Sequence, residues 1–292
     1  MMDPLFDHRD GGSFDQHGGA GAFSAFSLSG AGEMAASVQK AEPVVFLPGL
    51  LCDQSLWRSQ IDALADCCAP FVADLTLDDS IAAMARRTLA AAPSRFSLVA
   101  LSMGGYVALE IMRQAPERVR RLALLNSSAR ADTPERTQER LEGIRSLQRG
   151  KFLGVSRPLL RALVDPSHWE DDVATSIRAM AARVGKAAFL RQQRAIMDRP
   201  DSRRHLGRIA VPTLIVVGRS DCITPVDHAR EIHRAINGSS LHIIEHCGHL
   251  AALEEPAQIS GLLRTWIGRN LSVGSSCESQ PRSTQLDEVE AA

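Results

Sequence analysis

The chain has 292 residues, is 45 % hydrophobic and carries a formal net charge of -1, enough for one substantial core with an inserted subdomain. So even a charge balance removes the electrostatic reason to expect nucleic acid or anionic lipid as a partner, and no run approaches the roughly 18 apolar residues of a membrane helix. A small-molecule substrate is the expected partner, and the oligomeric state is not legible in the sequence.

Between residues 43 and 272, short aliphatic runs alternate with helix-length segments, the pattern of a parallel sheet wrapped by helices. In chain order, strands are predicted over 43–47, 71–74, 96–101, 121–125, 213–218 and 240–245. Most are continuously apolar, as in strands buried on both faces. Helices are predicted over 54–64, 80–91, 103–114, 226–236 and 257–266. Asp79 is expected to cap the second, and Thr224 ahead of Pro225 the fourth. The third is apolar nearly all round and should pack on the sheet.

The alternation breaks over 127–208, where amphipathic helices at 134–149 and 174–184 appear without a strand. This stretch is basic in balance, with its charges spaced as solvated helix faces. Residues 1–42 and 273–292 are polar or rich in small residues and are expected to be disordered. The first of these lacks a secretory signal pattern, and Met34 is an alternative start. The six cysteines (Cys52, Cys67, Cys68, Cys222, Cys247 and Cys277) show no C-x-x-C spacing and are expected to be reduced, in keeping with a cytoplasmic location.

Chemistry concentrates at three strand ends. Ala100-Leu101-Ser102-Met103-Gly104-Gly105 places a serine between an apolar strand and a buried helix, the turn usually written G-x-S-x-G, with Ala100 adding one methyl at the first glycine. Asp221 follows the strand at 213–218, and His249 follows the one at 240–245. Loops after parallel strands converge at one edge, so the three can meet. Serine needs a base to take its proton, and that base needs a carboxylate to hold its tautomer. Each residue alone also reads as structural: Ser102 and Asp221 as helix caps, His249 as a core histidine. Their joint order favours Ser102 as nucleophile, His249 as base and Asp221 as the orienting acid. Phe46-Leu47-Pro48-Gly49-Leu50-Leu51 lies where an oxyanion-hole donor is needed, and the expected donors are the backbone N–H groups of Leu50 and Met103.

His246 competes weakly for the base role, because it should still lie near the strand edge, whereas Gly248 should let the chain turn and carry His249 over the site. A metal at His246 and His249 is disfavoured, since no H-E-x-x-H or carboxylate-rich partner accompanies them. Cys222 and Cys247 read as space-filling residues. Phe189, Leu190, Ile196 and Met197 are candidates for an acyl pocket, although such spacing also packs a helix.

The three motifs in this order resemble the α/β-hydrolase fold family, particularly its capped esterase and lipase-like members, across nearly all of residues 43–270. The resemblance implies a core of 43–126 and 209–272, a helical cap of 127–208, and an active site beneath the cap. Many members carry two strands before the first one here; no hairpin is legible ahead of residue 43, so a six-stranded parallel sheet is expected. The implied activity is carboxylic-ester hydrolysis through an acyl-enzyme, without cofactor or metal. Amide or lactone hydrolysis, including that of N-acyl homoserine lactones, and carbon–carbon bond hydrolysis are the alternatives, because the same machinery serves them. A ligand-binding protein on this fold would show a damaged triad, and all three positions are intact. Epoxide hydrolases and haloalkane dehalogenases use an aspartate where Ser102 stands.

Overall fold

The computed structural model describes residues 41–149, 152 and 154–268. The expectations for 1–42 and 273–292 lie outside these residues, apart from Ala41 and Glu42, and Glu42 already opens the first strand. Six strands, β1 (Glu42–Leu47), β2 (Cys68–Val72), β3 (Phe96–Leu101), β4 (Val119–Leu125), β5 (Thr213–Gly218) and β6 (Ser240–Ile244), form one sheet in the order β2-β1-β3-β4-β5-β6. Every neighbouring pair is parallel, as expected.

The strands are continuously apolar because both faces of the sheet are covered. Val45 and Leu47, Leu98 and Ala100, and Ile215 and Val217 enter one core. Val44 and Phe46, Val99 and Leu101, and Leu214 and Val216 enter the other, the alternation that a period of two imposes. The helices in chain order are α1 (Arg58–Ala63), α2 (Ile81–Ala91), α3 (Met103–Gln114), α4 (Pro134–Arg149), α5 (Arg157–Leu163), α6 (Asp172–Met197), α7 (Arg203–Leu206), α8 (Val226–Ala235), α9 (Ala251–Glu254) and α10 (Pro256–Gly268). Helices α2, α3 and α8 pack on the first core, and α1 and α10 on the second. Residues Met103 to Met112 of α3 are all buried, so its all-round apolarity is a consequence of lying between the sheet and its neighbours. Among the described residues, no helix is long and apolar enough to cross a membrane.

Three local expectations are corrected. The second strand begins at Cys68, not residue 71. It contains Pro70, which reads as a break, but β2 is an edge strand, where a row of backbone groups is unpaired and proline is tolerated. Helix α2 is capped by Ser80, which accepts from the Ala83 N–H, instead of by Asp79. Helix α8 has no side-chain cap, because the Thr224 hydroxyl is spent on Asp221 at 2.8 Å.

Four helices, α4 to α7, fill the β4-to-β5 connection among the described residues. Helix α6 bends at Gly185, whose φ of 75° is not helical. The helix expected over 174–184 stops at that bend, whereas the structure continues to Met197. The loops that follow β1, β3, β4, β5 and β6 meet at one edge of the sheet, and they carry the residues considered next.

Candidate active site

Ser102 occupies the turn between β3 and α3 at φ 53°, ψ -117°, a conformation that costs a non-glycine residue about 1–3 kcal/mol. Its surroundings hold it there. The Ser102 N–H donates to the Leu125 carbonyl at 3.0 Å and the Gly105 N–H to the Ser102 carbonyl at 2.8 Å. The Ser127 hydroxyl donates to the same carbonyl at 2.9 Å. The helix can start this close to β1 only because position 104 is glycine: a Cβ there would run into the Leu47 carbonyl and lie 2.8 Å from that of Pro48.

His249 reaches this turn from the loop after β6. Its Nε2 lies 2.8 Å from the Ser102 Oγ, and its Nδ1 lies 2.9 Å and 3.0 Å from the two Asp221 carboxylate oxygens. A carboxylate only accepts, so the proton belongs on Nδ1, leaving Nε2 to accept from the serine hydroxyl. Asp221 itself is almost enclosed. Its Oδ1 accepts from the Ile223 and Thr224 N–H groups, each at 2.9 Å. Its Oδ2 accepts from the Thr224 hydroxyl at 2.8 Å and the Asn126 amide at 3.0 Å. Burial alone would raise its pKa; the electrostatic pull of the adjoining His249 imidazole and these donors outweigh burial and hold the carboxyl down to about 2.

The turn expected at Gly248 is made two residues earlier, by His246 at φ 53°. His246 points to solvent while His249 is buried. Gly248 serves closeness instead: a Cβ there would sit 2.7 Å from the Val164 Cα and 2.8 Å from the Asp165 nitrogen. The His249 N–H donates to the Leu163 carbonyl at 2.8 Å. Buried Glu254 gathers the flanks, accepting from the N–H groups of Gly248 at 2.7 Å, Leu250 at 2.9 Å and Asp165 at 2.8 Å. Burial raises the pKa of Glu254 and prevails over these three donors, which lower it.

An alpha/beta hydrolase family model matches residues 44–262 of this geometry's sequence. The chain belongs to the alpha/beta hydrolase family. This hydrolase is 30 % identical over 209 residues to a pimeloyl-(acyl-carrier protein) methyl ester esterase of Neisseria meningitidis serogroup B, covering 68 % of the chain and 78 % of that protein. It is 30 % identical over 178 residues to a pyrrolizixenacetamide deacetylase of Xenorhabdus hominickii, covering 59 % and 65 %. Among solved structures it resembles a thermophilic esterase from Thermogutta terrifontis, with a TM-score of 0.71 and 26 % identity over 78 % of this chain and 89 % of that one.

A cavity of about 340 Å³ lies over Ser102 and His249 in this hydrolase, lined mainly by apolar side chains from α5, α6 and the loop after β1, with Arg136, Glu139, Arg140 and Gln193 among its polar members. Of the four expected pocket residues, Phe189 and Ile196 line it, whereas Leu190 and Met197 do not. The reason is helical phase. Phe189, Gln193 and Ile196 recur at steps of four and three along α6 and share a face, and each of the other two stands one residue, about 100°, further round.

Leu50 also lines the cavity, and Met103 is buried at the first position of α3. Cys52 borders the cavity, but burial pushes its thiol up to about 12, so it is neutral. Burial likewise pushes the Cys247 thiol well above its ordinary value. Among the described residues, no group of three or more His, Cys, Asp or Glu side chains is placed to hold a metal.

Sequence reasoning missed Asn126, Gln192 and Glu254. Asn126 had a faint signal, as a polar residue ending the apolar run of β4. Glu254 lies five residues past His249 but reads as an acid at a helix start. Gln192 had no signal at all.

Proposed function

We propose that this protein hydrolyses small carboxylic esters through a covalent acyl-enzyme on Ser102. The observation that carries the reading is the continuous line from Asp221 through His249 to the Ser102 hydroxyl, at 2.9 Å and 2.8 Å, at the floor of an apolar cavity. Its volume of about 340 Å³ falls at the lower end of the roughly 300–1,000 Å³ usual for ligand sites, in keeping with a small acyl substrate.

In the first half-reaction, the Ser102 Oγ attacks the ester carbonyl carbon while His249 Nε2 takes the hydroxyl proton. Asp221 stabilises the resulting imidazolium through Nδ1. The carbonyl oxygen becomes an oxyanion, for which the N–H groups of Leu50 and Met103 are the donors in this reading. Collapse expels the alcohol, which receives the proton from Nε2. Water then repeats the sequence on the acyl-enzyme, releasing the acid and restoring Ser102. Side chains from α5 and α6 supply the apolar wall for the acyl chain and keep bulk water from the intermediate.

The test is a matched panel of p-nitrophenyl esters, anilides and acyl-lactones of graded chain length, with intact-mass detection of the acylated protein under rapid quench. Esters of short to medium chain should turn over fastest, with the acyl mass on the peptide containing Ser102. Turnover without an acylated Ser102 would overturn the mechanism. Faster cleavage of anilides or lactones would shift the substrate class.

A further inference from the structure

We propose that Gln192, on the far half of α6, is a positioning residue for the oxyanion-binding loop, so that the helices between β4 and β5 belong to the catalytic frame as well as to the substrate wall. The inference rests on the ester-hydrolase reading above.

The loop after β1 turns through Leu51, whose φ is 59°, a conformation that a bulky side chain does not hold without outside support. The support is visible. The Leu51 N–H donates to Gln192 Oε1 at 3.1 Å, across 141 residues of sequence. Gln192 is wholly buried, and its Nε2 donates to the Leu75 carbonyl at 3.1 Å, after β2. One amide therefore ties α6 to two loops of the core. The Cys52 N–H is turned back onto the Gly49 carbonyl at 3.2 Å. With the N–H groups of Leu51 and Cys52 directed elsewhere, Leu50, which lines the cavity with Ser102, is left to present its N–H to the reacting centre.

The neighbouring glutamine is placed differently. Gln193 faces the cavity and accepts from Arg140 Nη1 at 2.7 Å. Successive residues of one helix thus divide two tasks, one holding the floor and the other lining the wall. Without the Gln192 acceptor, Leu51 is free to relax toward an extended φ, and that rotation swings the adjoining peptide and the Leu50 N–H away from the oxyanion. The loss falls on the transition state, because ground-state binding uses the apolar wall.

The test uses the full chain and Gln192→Met, which keeps length and removes both polar ends. The probes are trifluoromethyl hexyl ketone and methyl hexyl ketone. Ser102 Oγ bonds to the carbonyl carbon of the first, its proton passes to His249 Nε2, and the former carbonyl oxygen becomes an oxyanion. The second binds without that bond. Gln192→Met should lose about tenfold or more in kcat and in affinity for the trifluoromethyl ketone, with KM and methyl ketone affinity within about threefold. Equal losses for both ketones, or an unchanged kcat in the folded variant, would overturn the role. A wild-type protein that forms no adduct with the trifluoromethyl ketone would overturn the serine-hydrolase reading and this inference with it. If Gln192→Met does not fold, hydrogen exchange of the Leu51 amide in the wild type decides. Strong protection supports the bond to Gln192, and exchange at the rate of an open loop contradicts it.

Discussion

Asn126 donates its side-chain amide to Asp221 Oδ2 at 3.0 Å, and the same nitrogen donates to the Gly248 carbonyl at 2.9 Å. One side chain at the end of β4 therefore joins the loop of the acid to the loop of the histidine. Asn126→Ala removes a donor from a buried carboxylate and releases the histidine loop. It should destabilise the protein by about 1–3 kcal/mol and lower kcat about tenfold, with a smaller change in KM. Urea denaturation and steady-state kinetics on the same preparation check both.

With His249 as the proposed base, His249→Ala should cost at least about 10³-fold in kcat, while exposed His246→Ala should leave kcat within about twofold. A dead His246→Ala beside an active His249→Ala would contradict the assignment.

Asp221 gives stability a definite dependence on pH. Its folded-state pKa is depressed from 3.8 to about 2, so its contribution is present above the unfolded value and is lost as pH falls through the folded one. The amount is on the order of 2 kcal/mol. Stability curves for the wild type and Asp221→Asn should therefore converge as pH is lowered from about 4 to about 2.

Glu254 acts with the opposite sign. Its folded-state pKa is raised above the ordinary value of 4.5, so its linkage contribution is fully present below the unfolded pKa and is lost as pH rises through the folded one. The stability of the wild type relative to Glu254→Gln should fall as pH rises through that range, measured by urea midpoints. Glu254→Ala leaves three buried N–H groups without their acceptor and should cost about 2–4 kcal/mol below that range, with the cost shrinking as pH rises through it.

The sheet and the meeting of Ser102, Asp221 and His249 at its edge were legible for one physical reason. Strands covered on both faces must be apolar throughout, so a serine, an aspartate or a histidine just past such a run stands out at the strand end. Lines of force between distant segments leave no such mark. Gln192 and Glu254 act because α6 and α9 bring them against loops up to 141 residues away in sequence, and nothing in their neighbours records that approach; Asn126, just past the apolar run of β4, left only a faint mark. The pocket candidates show the intermediate case. The apolar pattern identified the right stretch of α6, but only the helix's phase beyond the bend at Gly185 selects Phe189 and Ile196 over Leu190 and Met197. Glycine positions mislead in the same way: Gly248 read as a hinge, whereas it makes room for Val164 and the turn falls on His246.

The most direct measurement is active-site labelling. The full chain is treated with a fluorophosphonate, digested, and the modified residue located by tandem mass spectrometry, with Ser102→Ala and His249→Ala alongside. Stoichiometric label on Ser102, none on Ser102→Ala, and labelling of His249→Ala slowed by at least about 10³-fold are expected. Label on another residue, or Ser102→Ala retaining ester turnover, would contradict Ser102 as the nucleophile.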